Sequence, residues 1–464
     1  MLVEHSGLAV EKIRKILSDK GTVYFLGIGG VSMSALAELF IYRGYRVCGS
    51  DAVRGDGVLR IECLGGEVFV PHKCGNVRKI LPSLLVYSLS IDCENAEYLE
   101  AKELGIPVIS RAELLGALMQ DYEVKITVMG SHGKSTVTAM LAKIFSDAGY
   151  SPTVISGADI GHGSTLLYGK TGIFITEACE YKRSFLRLFP DLCLLLNAEL
   201  DHTDCYGSDE EIIGAFLDAA ERSRAVIING DDKNTRHIAE KAKRKVAIFG
   251  KGDADFLYEI KAGSDNEGVV RFKEGEDFKE IYLSLSVFGE HNFANAIAAF
   301  AAASRAGVPS ESIAKSLAEF KGIPRRLELI KSSGRGDVYY DYAHHPTEIR
   351  KAIEALRNRG YKNIGVVFCP HTYSRTKSFF GEFAESLSKA DFALITDIYG
   401  AREEPIPGID AESLAHAVGE ARGKGEYIRC DGAFEAIFSR EWDCLVLMGA
   451  GNLDCIKNVI AKEK

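Results

Sequence analysis

The stretch from Lys125 to Thr136, KITVMGSHGKST, constrains this chain more than any other. Five residues of strand character, Lys125 to Met129, run into Gly130. Gly133, Lys134, Ser135 and Thr136 follow, and an alanine- and leucine-rich helical pattern begins there. Strand, glycine turn and helix, with Lys-Ser at the helix start, is the order a phosphate cradle needs. Small residues let backbone N–H groups face phosphate oxygens, and the helix N-terminus adds partial positive charge. A lysine ammonium at Lys134 reaches the β/γ-phosphates, and the Ser135 hydroxyl can ligate Mg²⁺. The spacing departs from the full GxxxxGK[ST] pattern, because only Ser131 and His132 separate the two glycines. A bare GK[ST] is common, but the strand before it and the helix after it favour a nucleotide site over an ordinary turn. ATP chemistry is the expectation.

Bulk properties set the frame for that site. At 464 residues the chain is too long for one core, and about three domains are expected. Apolar content of 46% and charged content of 26% are those of a soluble globular protein. A net charge of −9 gives no general pull toward nucleic acid or anionic membrane, so phosphate-binding cations must be local. No apolar run approaches the ~20 residues of a membrane span, and MLVEHSGLAVEKIRK lacks a signal-peptide core. The eleven cysteines are scattered, with no C-x-x-C pair, and several (Cys48, Cys193, Cys369, Cys444) lie in apolar strand-like runs. They read as buried reduced thiols and not as a metal cluster. A cytoplasmic protein, monomeric or weakly dimeric, acting on small molecules is expected.

Before the glycine loop, TVYFLGIGGVSMSALAELFIYRGYRVCGSD reads as strand, glycine turn, helix and second strand, ending in Ser50 and Asp51. This resembles a Rossmann opening, with Ser32 where the third fingerprint glycine would sit. A dinucleotide or another diphosphate-bearing ligand fits the helix start after Gly27, Gly29 and Gly30 equally well. Further strand–helix alternation follows through LLVYSLS, ENAEYLEAKELG and IPVIS; His72 and Arg111 fall at ends of such segments. The first domain is placed at residues 1–122. The second, 123–322, contains the strands GIFITE, with Glu177 at its tip, LCLLLN, followed by AELDHTD, and two shorter ones at Ala225–Asn229 and Val246–Phe249. Strand ends of a parallel sheet share the edge where the glycine loop lies, so Glu177 and His202 are placed to approach a nucleotide's metal ions. Their bland reading is as solvated loop residues. Residues 253–288 alternate like an antiparallel sheet. The helix starting in GEHNFANAIAAFAAA has His291, Asn292 and Asn295 in its first turns, where capping and adenine or ribose contacts explain the amides equally well.

After the linker FKGIPRR a third α/β domain, 323–464, repeats strand and helix. Each strand, VYYDY, IGVVF, ALITDIY and CLVLMG, ends in a polar cluster. Asp341, His344, His371, Tyr373, Arg375 and Arg402 should therefore converge on one face. The fold class is α/β throughout: a Rossmann-like N-terminal domain, a central ATPase domain with a mostly parallel sheet, and a C-terminal Rossmann-like domain.

GIGGVSMSALAE, GSD, GSHGKST, AELDHTD, EHNFANAIAA, RRLE, DYAHHPTEI, PHTYSRTK, TDIYGARE and GAGN, spread over almost the whole chain, resemble the Mur ligases. These are the ATP-dependent amide-forming enzymes of peptidoglycan synthesis. DYAHHPTEI and PHTYSRT resemble the branch that joins L-alanine to UDP-N-acetylmuramate. The resemblance implies that Lys134 holds the β/γ-phosphates in the loop Gly130–Thr136, and that Ser135 and Glu177 bind one Mg²⁺ with His202 serving a second. It puts Asn292 and Asn295 near adenine and phosphates, and Arg326 and Asp341 toward the nucleotide. Gly27, Gly29, Gly30, Ser50 and Asp51, with His72 and Arg111, would hold the UDP-sugar. His344, Tyr373 and Arg375 would lie near the incoming amino acid, with His344 as the base. Many members read GTHGKTT, and Ser131 and Ser135 keep hydroxyls there. Cys179 and Glu180 depart from the pattern after Glu177, and the resemblance gives neither a role. No lysine follows His202 before Lys233, so the carbamoylated lysine of later pathway ligases is absent, as in the alanine-adding branch. Three other readings compete: a murein tripeptide ligase of cell-wall recycling, which PHTYSRT disfavours; an NAD-dependent oxidoreductase, which leaves GSHGKST, Glu177 and His202 unexplained; and a nucleotide-binding regulator without turnover, against which Lys134, Glu177, His202 and Asp341 argue.

Overall fold

A computed structural model describes residues 5–161, 163–203, 205–401, 403–421, 423–429, 432–451 and 453–462. It comprises two compact units: Met1–Glu199, Glu210–Leu257 and Ala298–Ser316 form the first, and Leu200–Asp209, Tyr258–Ile297 and Leu317–Lys464 the second.

The first unit holds two sheets. Strands β1 (Val23–Leu26), β2 (Val47–Ser50), β3 (Glu67–Phe69), β4 (Leu84–Tyr87) and β5 (Val108–Ser110) pair in the order β3-β2-β1-β4-β5, all parallel. VYFL and LLVY are buried at every position, as strands covered by helices on both faces must be. With β1 central, the strand order reverses between β1 and β4, so the crevice for a ligand opens at the C-terminal strand ends. Chain direction after β1 turns at Gly27, whose φ of +83° lies in the left-handed region, and the helix Val31–Tyr42 begins at once.

The second sheet contains β6 (Val124–Met129), β7 (Thr153–Ile155), β8 (Leu166–Leu167), β9 (Ile173–Glu177), β10 (Leu192–Leu195), β11 (Ala225–Asn229) and β12 (Lys245–Gly250). Their order is β12-β11-β10-β6-β9-β7-β8, parallel except for β8. The strand expected at Lys125–Met129 is therefore central. Its neighbours β9 and β10 end beside it, at Glu177 and at the stretch leading to Asn197. β13 (Phe256–Ile260) starts parallel to β12, through Phe249↔Phe256. The antiparallel alternation expected over residues 253–288 is met in the hairpin β14 (Glu267–Glu274) and β15 (Asp277–Ser284), with β13 hydrogen-bonded to β14.

The remaining sheet of the second unit is built from β16 (Glu328–Ser332), β17 (Asp337–Asp341), β18 (Ile364–Phe368), β19 (Phe392–Ile395), β20 (Gly425–Tyr427) and β21 (Cys444–Met448). The order is β16-β17-β21-β18-β19-β20, with only β16 antiparallel. One buried cluster around Ile349, Ile353, Leu356 and Val366 fills one face, and another around Val367, Leu394, Leu445 and Trp442 fills the other. Helix Pro346–Asn358 shows the cause: Ile349, Ala352, Ile353 and Leu356 recur at helical spacing, His345 caps the first turn, and Pro346 stands at a position needing no N–H. Central β17, β18 and β21 end level, with Cys369 N–H donating to Met448 O and Gly449 N–H to Asp341 O. Their polar tips thus share one edge.

Candidate active site

In the first unit the glycine loop joins β6 to the helix Lys134–Asp147. Gly130 (φ +138°) passes so near the tail of β10 that a Cβ would lie 3.2 Å from Asn197 N and O, and Gly133 (φ +83°) caps the helix. The Asn197 amide clamps the loop: its Oδ1 accepts His132 N–H at 2.8 Å and its Nδ2 donates to His132 O at 3.1 Å. Ser131 Oγ donates to Glu199 O at 2.7 Å and accepts Glu199 N–H at 3.0 Å. Residues following β10 thus fix the loop's shape, while Ser135 and Thr136 are buried in the helix's first turn.

Lys134 sends its ammonium back over the loop. It donates to Gly130 O, to Ser131 O at 3.2 Å, and to both Glu180 carboxylate oxygens at 3.0 Å. Burial opposes its charge, yet Glu180, with lesser help from Cys179 and Glu177, holds its pKa above the ordinary lysine value. Glu180 is itself only 1% exposed. Sequence reading left Glu180 without a role; its spacing of three after Glu177 was the available signal. Glu177, at the tip of β9, accepts Ser156 Oγ–H at 2.8 Å and Gly157 N–H at 2.6 Å on Oε1. A Cβ on Gly157 would come within 2.9 Å of Oε2, so the backbone itself cradles this carboxylate. Arg111 starts the helix after β5, whose Ser110 and Glu113 form a capping box. Burial lowers its pKa, and the charges of Cys179 and Glu177 act the other way, which places Arg111 in the field of Glu177.

At the first sheet, Gly27 and Ile28 N–H bond to Ser50 O at 2.8 and 3.0 Å, and Gly29 N–H donates to Asp51 Oδ2 at 2.8 Å. The helix after Gly30 has no side-chain cap, leaving its N-terminus open to an anion. A cavity of about 290 Å³ lies there, lined among others by Gly29, Val31, Ser34, Glu38, Arg60 and Ser164. Arg60 bonds Gly163 O and pairs with Glu38 at 3.5 Å; Ser164 Oγ donates to Glu38 at 3.3 Å. Ser50 and His72 meet through a 2.8 Å hydrogen bond.

The second unit gathers a buried polar cluster. Arg375 is 8% exposed and donates from Nε and Nη2 to Asp201 Oδ1 at 3.2 and 2.7 Å, and from Nη1 to His371 Nδ1 at 3.0 Å. Arg375, expected near the incoming amino acid, has its guanidinium engaged with protein groups. Asp201, which sequence reading passed over beside His202, is buried. Arg375, His202 and His344 nonetheless hold it far below the usual carboxylate range. His202 has a left-handed backbone (φ +51°), and its N–H donates to Asp201 Oδ1 at 2.7 Å. Such a conformation is costly for a residue with a Cβ, and the Asp201 bond offsets part of the cost.

His344 Nδ1 lies 3.0 Å from Tyr342 O and 3.3 Å from a Glu348 oxygen, both acceptors, so Nδ1 carries the proton and Nε2 the lone pair. Burial pushes its pKa down to about 4, and Glu348 only partly counters this. His371, its ring 6.1 Å from His344 and stacked on Tyr399, is pushed by burial to about 4 as well. Asp341 accepts Leu327 N–H at 2.7 Å and Ala343 N–H at 2.6 Å; burial raises its pKa to about 6 against the pull of Arg326. Arg326 pairs with Glu348 at 3.5 Å and lies over the Tyr342 ring. Tyr373 opens the helix Tyr373–Ser378, its ring against Gly400. Asn292 and Asn295 stand one turn apart on helix Glu290–Arg305, and the Asn292 amide donates to Phe288 O, before the helix, at 2.8 Å. Arg402 lies outside the described residues.

Three family models match in succession: "Mur ligase family, catalytic domain" over residues 22–123, "Mur ligase middle domain" over 128–303 and "Mur ligase, glutamate ligase domain" over 325–451. The UDP-N-acetylmuramate–L-alanine ligase of Caldanaerobacter subterraneus subsp. tengcongensis is 38% identical over 442 residues, covering 93% of this chain and 95% of that protein. That of Clostridium novyi is 36% identical over 443 residues, covering 93% and 95%. Among solved structures, the UDP-N-acetylmuramate–alanine ligase of Thermotoga maritima matches with a TM-score of 0.79 at 25% identity, over 95% of this chain and 98% of that one. A murein peptide ligase from Psychrobacter arcticus shares the fold, with a TM-score of 0.71 at 23% identity over 95% and 98%. With a lysine-bearing glycine loop, a cradled carboxylate and three successive domain matches in one chain, this protein belongs to the Mur ligase family.

Proposed function

We propose that the chain is the ATP-dependent ligase that joins L-alanine to the lactyl carboxylate of UDP-N-acetylmuramate, a step of peptidoglycan synthesis. The observation that carries the phosphoryl-transfer half is Lys134, whose half-buried ammonium is set over a glycine loop whose shape Asn197 fixes and is paired with Glu180. The choice of L-alanine rests on the relatives of that name and on DYAHHPTEI with PHTYSRT in this sequence.

Amide formation needs a carboxylate made electrophilic at neutral pH. ATP supplies this: the lactyl carboxylate attacks the γ-phosphorus, ADP leaves, and an acyl phosphate forms. Alanine's amine then adds to the acyl carbon, and phosphate leaves as the carbonyl reforms. Lys134 offsets the repulsion between carboxylate and triphosphate. Ser135 and Glu177 are proposed to hold one Mg²⁺ and His202 a second. A hydroxyl and a cradled carboxylate are the hard oxygen donors that Mg²⁺ selects. Bound there, Mg²⁺ neutralises charge on the transferring phosphoryl group. His344 is neutral at physiological pH with its lone pair on Nε2, so it can take the proton the amine loses as the C–N bond forms. Since Arg375 is engaged with Asp201 and His371, its proposed part in amino-acid binding is to hold that pair of side chains in place. We place the domains at 1–122, 123–322 and 323–464, with the UDP-sugar held by Gly27, Gly29, Gly30, Ser50, Asp51, His72 and Arg111. A cytoplasmic setting is supported by the ATP requirement and by the nine free cysteines among the described residues.

Phosphate release from ATP with UDP-N-acetylmuramate, with and without L-alanine, tests the reading. Release that depends on both supports it. A higher kcat/KM for the L-Ala-D-Glu-diamino acid tripeptide than for L-alanine would transfer the protein to the recycling branch, and no release with either acceptor would reject the ligase reading.

A further inference from the structure

Glu97 is a carboxylate with 0% exposure in the first sheet's domain, and among the described residues no lysine or arginine side chain pairs with it. Both of its oxygens are filled by hydrogen bonds. Oε1 accepts Lys73 N–H at 2.9 Å and Asn76 Nδ2–H at 2.7 Å; Oε2 accepts Tyr24 Oη–H at 3.0 Å and Ser50 Oγ–H. Burial alone would push its pKa up, but His72, whose Nδ1 stands 3.8 Å from Oε2, and then the hydrogen bonds from Ser50, Lys73 and Asn76 hold it below the ordinary glutamate value. An ionised carboxylate only accepts, so each of its four partners must donate.

That requirement propagates. Ser50 has one hydroxyl proton, and it is committed to Glu97. The other neighbour of Ser50 Oγ is His72 Nδ1, at 2.8 Å. With its proton engaged, Ser50 can only accept from His72, so Nδ1 carries the hydrogen. A neutral imidazole protonated on Nδ1 has its lone pair on Nε2. His72 keeps 20% of its side chain exposed, and its Nε2 has no hydrogen-bond partner among the described residues.

Resting on the reading that this domain holds a uridine nucleotide, we propose that Glu97 is a positioning residue that, through Ser50, fixes His72 as a hydrogen-bond acceptor toward a donor on the nucleoside. The relay ties the tip of β2 to the segment after β3, on the side of the Gly27–Gly30 turn where Asp51 already bonds Gly29. Two groups of a uridine nucleotide supply such a donor: the imide N–H of the base and a ribose hydroxyl.

The test uses the full chain with ¹⁵N-labelled histidine, the His72 signals assigned by difference against His72→Gln. In wild type the spectrum should show Nδ1–H and an unprotonated Nε2. In Glu97→Gln the amide can donate to Ser50, releasing the hydroxyl proton toward His72 Nδ1, so the tautomer should invert. Calorimetry then compares UDP, N3-methyl-UDP and 2′-deoxy-UDP. Glu97→Gln should weaken UDP about tenfold, the scale of one lost hydrogen bond, while ADP binding at the glycine loop stays unchanged. One of the two analogues should lose the same factor on wild type and nothing further on Glu97→Gln, which identifies the donor. If Glu97→Gln does not fold, Ser50→Ala breaks the relay while leaving Glu97 three donors; because Ser50 is itself proposed to hold the UDP-sugar, a loss of UDP affinity in this variant is not read as support, and the His72 tautomer decides. A wild-type His72 protonated on Nε2, or a relay variant that binds UDP as wild type does, overturns the proposal. A wild-type chain that does not bind UDP overturns the nucleotide reading and the ligand half with it, and the tautomer spectrum still decides the relay.

Discussion

The ammonium of Lys134 is held between its own loop's carbonyls and the Glu180 carboxylate. A triphosphate arriving at the loop must draw that ammonium away from Glu180 and approach a carboxylate of its own sign. Glu180→Gln removes both obstacles, and leaves a buried lysine without its counter-charge. Two changes in opposite directions are therefore expected: a lower melting temperature without ligand, and ADP binding in EDTA tighter by about five- to thirtyfold, the equivalent of ~1–2 kcal/mol. Unchanged ADP affinity in the folded variant would show that the pair is not a barrier to binding. Lys134→Ala acts on the transition state. One charge-assisted contact to the transferring phosphoryl group is worth ~2–4 kcal/mol, so kcat should fall about a hundredfold or more. UDP affinity should persist, because the Gly27–Gly30 turn belongs to another sheet. Wild-type turnover in Lys134→Ala would remove the glycine loop from the chemistry.

Elements were legible where their cause is local. β6, the glycine turn and the helix Lys134–Asp147 follow from apolar runs, left-handed glycines and alanine-rich periodicity, all written in consecutive residues. The parallel strands of the last sheet announced themselves as short, fully apolar runs ending in polar clusters. Partnerships between distant elements were not legible. Glu97 reaches Tyr24 and Ser50 from 73 and 47 residues away, and Asp201 meets Arg375 across 174. Nothing in the local pattern of either carboxylate sets it apart from a surface residue, since a buried charge is revealed only by the groups that surround it. The loop after β7 is another case. Ser156 and Gly157 carry no motif of their own, yet they hold the Glu177 carboxylate. Gly157 is exposed and its φ is outside the left-handed region, so alanine is tolerated by backbone and solvent. The three atoms nearest the added Cβ all belong to the Glu177 carboxylate, with Oε2 at 2.9 Å. Gly157→Ala should raise the Mg²⁺ concentration needed for half-maximal phosphate release by about ten- to a hundredfold, as loss of a ligand's support does elsewhere. Melting should barely change. An unaltered Mg²⁺ requirement would mean that Glu177 does not bind the metal.

At the scale of the whole molecule, three buried histidines of the second unit set its response to acid. His291, His344 and His371 are each pushed by burial from 6.5 to about 4. Unfolded, each binds a proton near 6.5; folded, none does until about 4. Between those values the unfolded chain binds more protons, so stability is full above pH 6.5, falls as pH drops toward 4, and stops falling below it. Asp341 has the opposite sign. Its folded value is about 6 against 3.8 unfolded, so it adds stability as pH falls through 6, and it is one group against three. Taking the chain from pH 7.5 to 4.5 should therefore cost the second unit several kcal/mol, a large part of the ~5–15 kcal/mol that holds a domain folded. His291 isolates the effect: its neighbouring charges are Lys351, Glu348 and Arg326, and no step of the proposed reaction uses it. His291→Gln keeps a polar side chain and deletes the titration. Calorimetric scans at pH 7.5 and 4.5 should show the acid-induced loss in the second unit's transition reduced by about 2–3 kcal/mol in the variant. An equal loss in both proteins would mean that His291 already carries its proton in the folded state, and the acid sensitivity would have to be sought at His344 and His371.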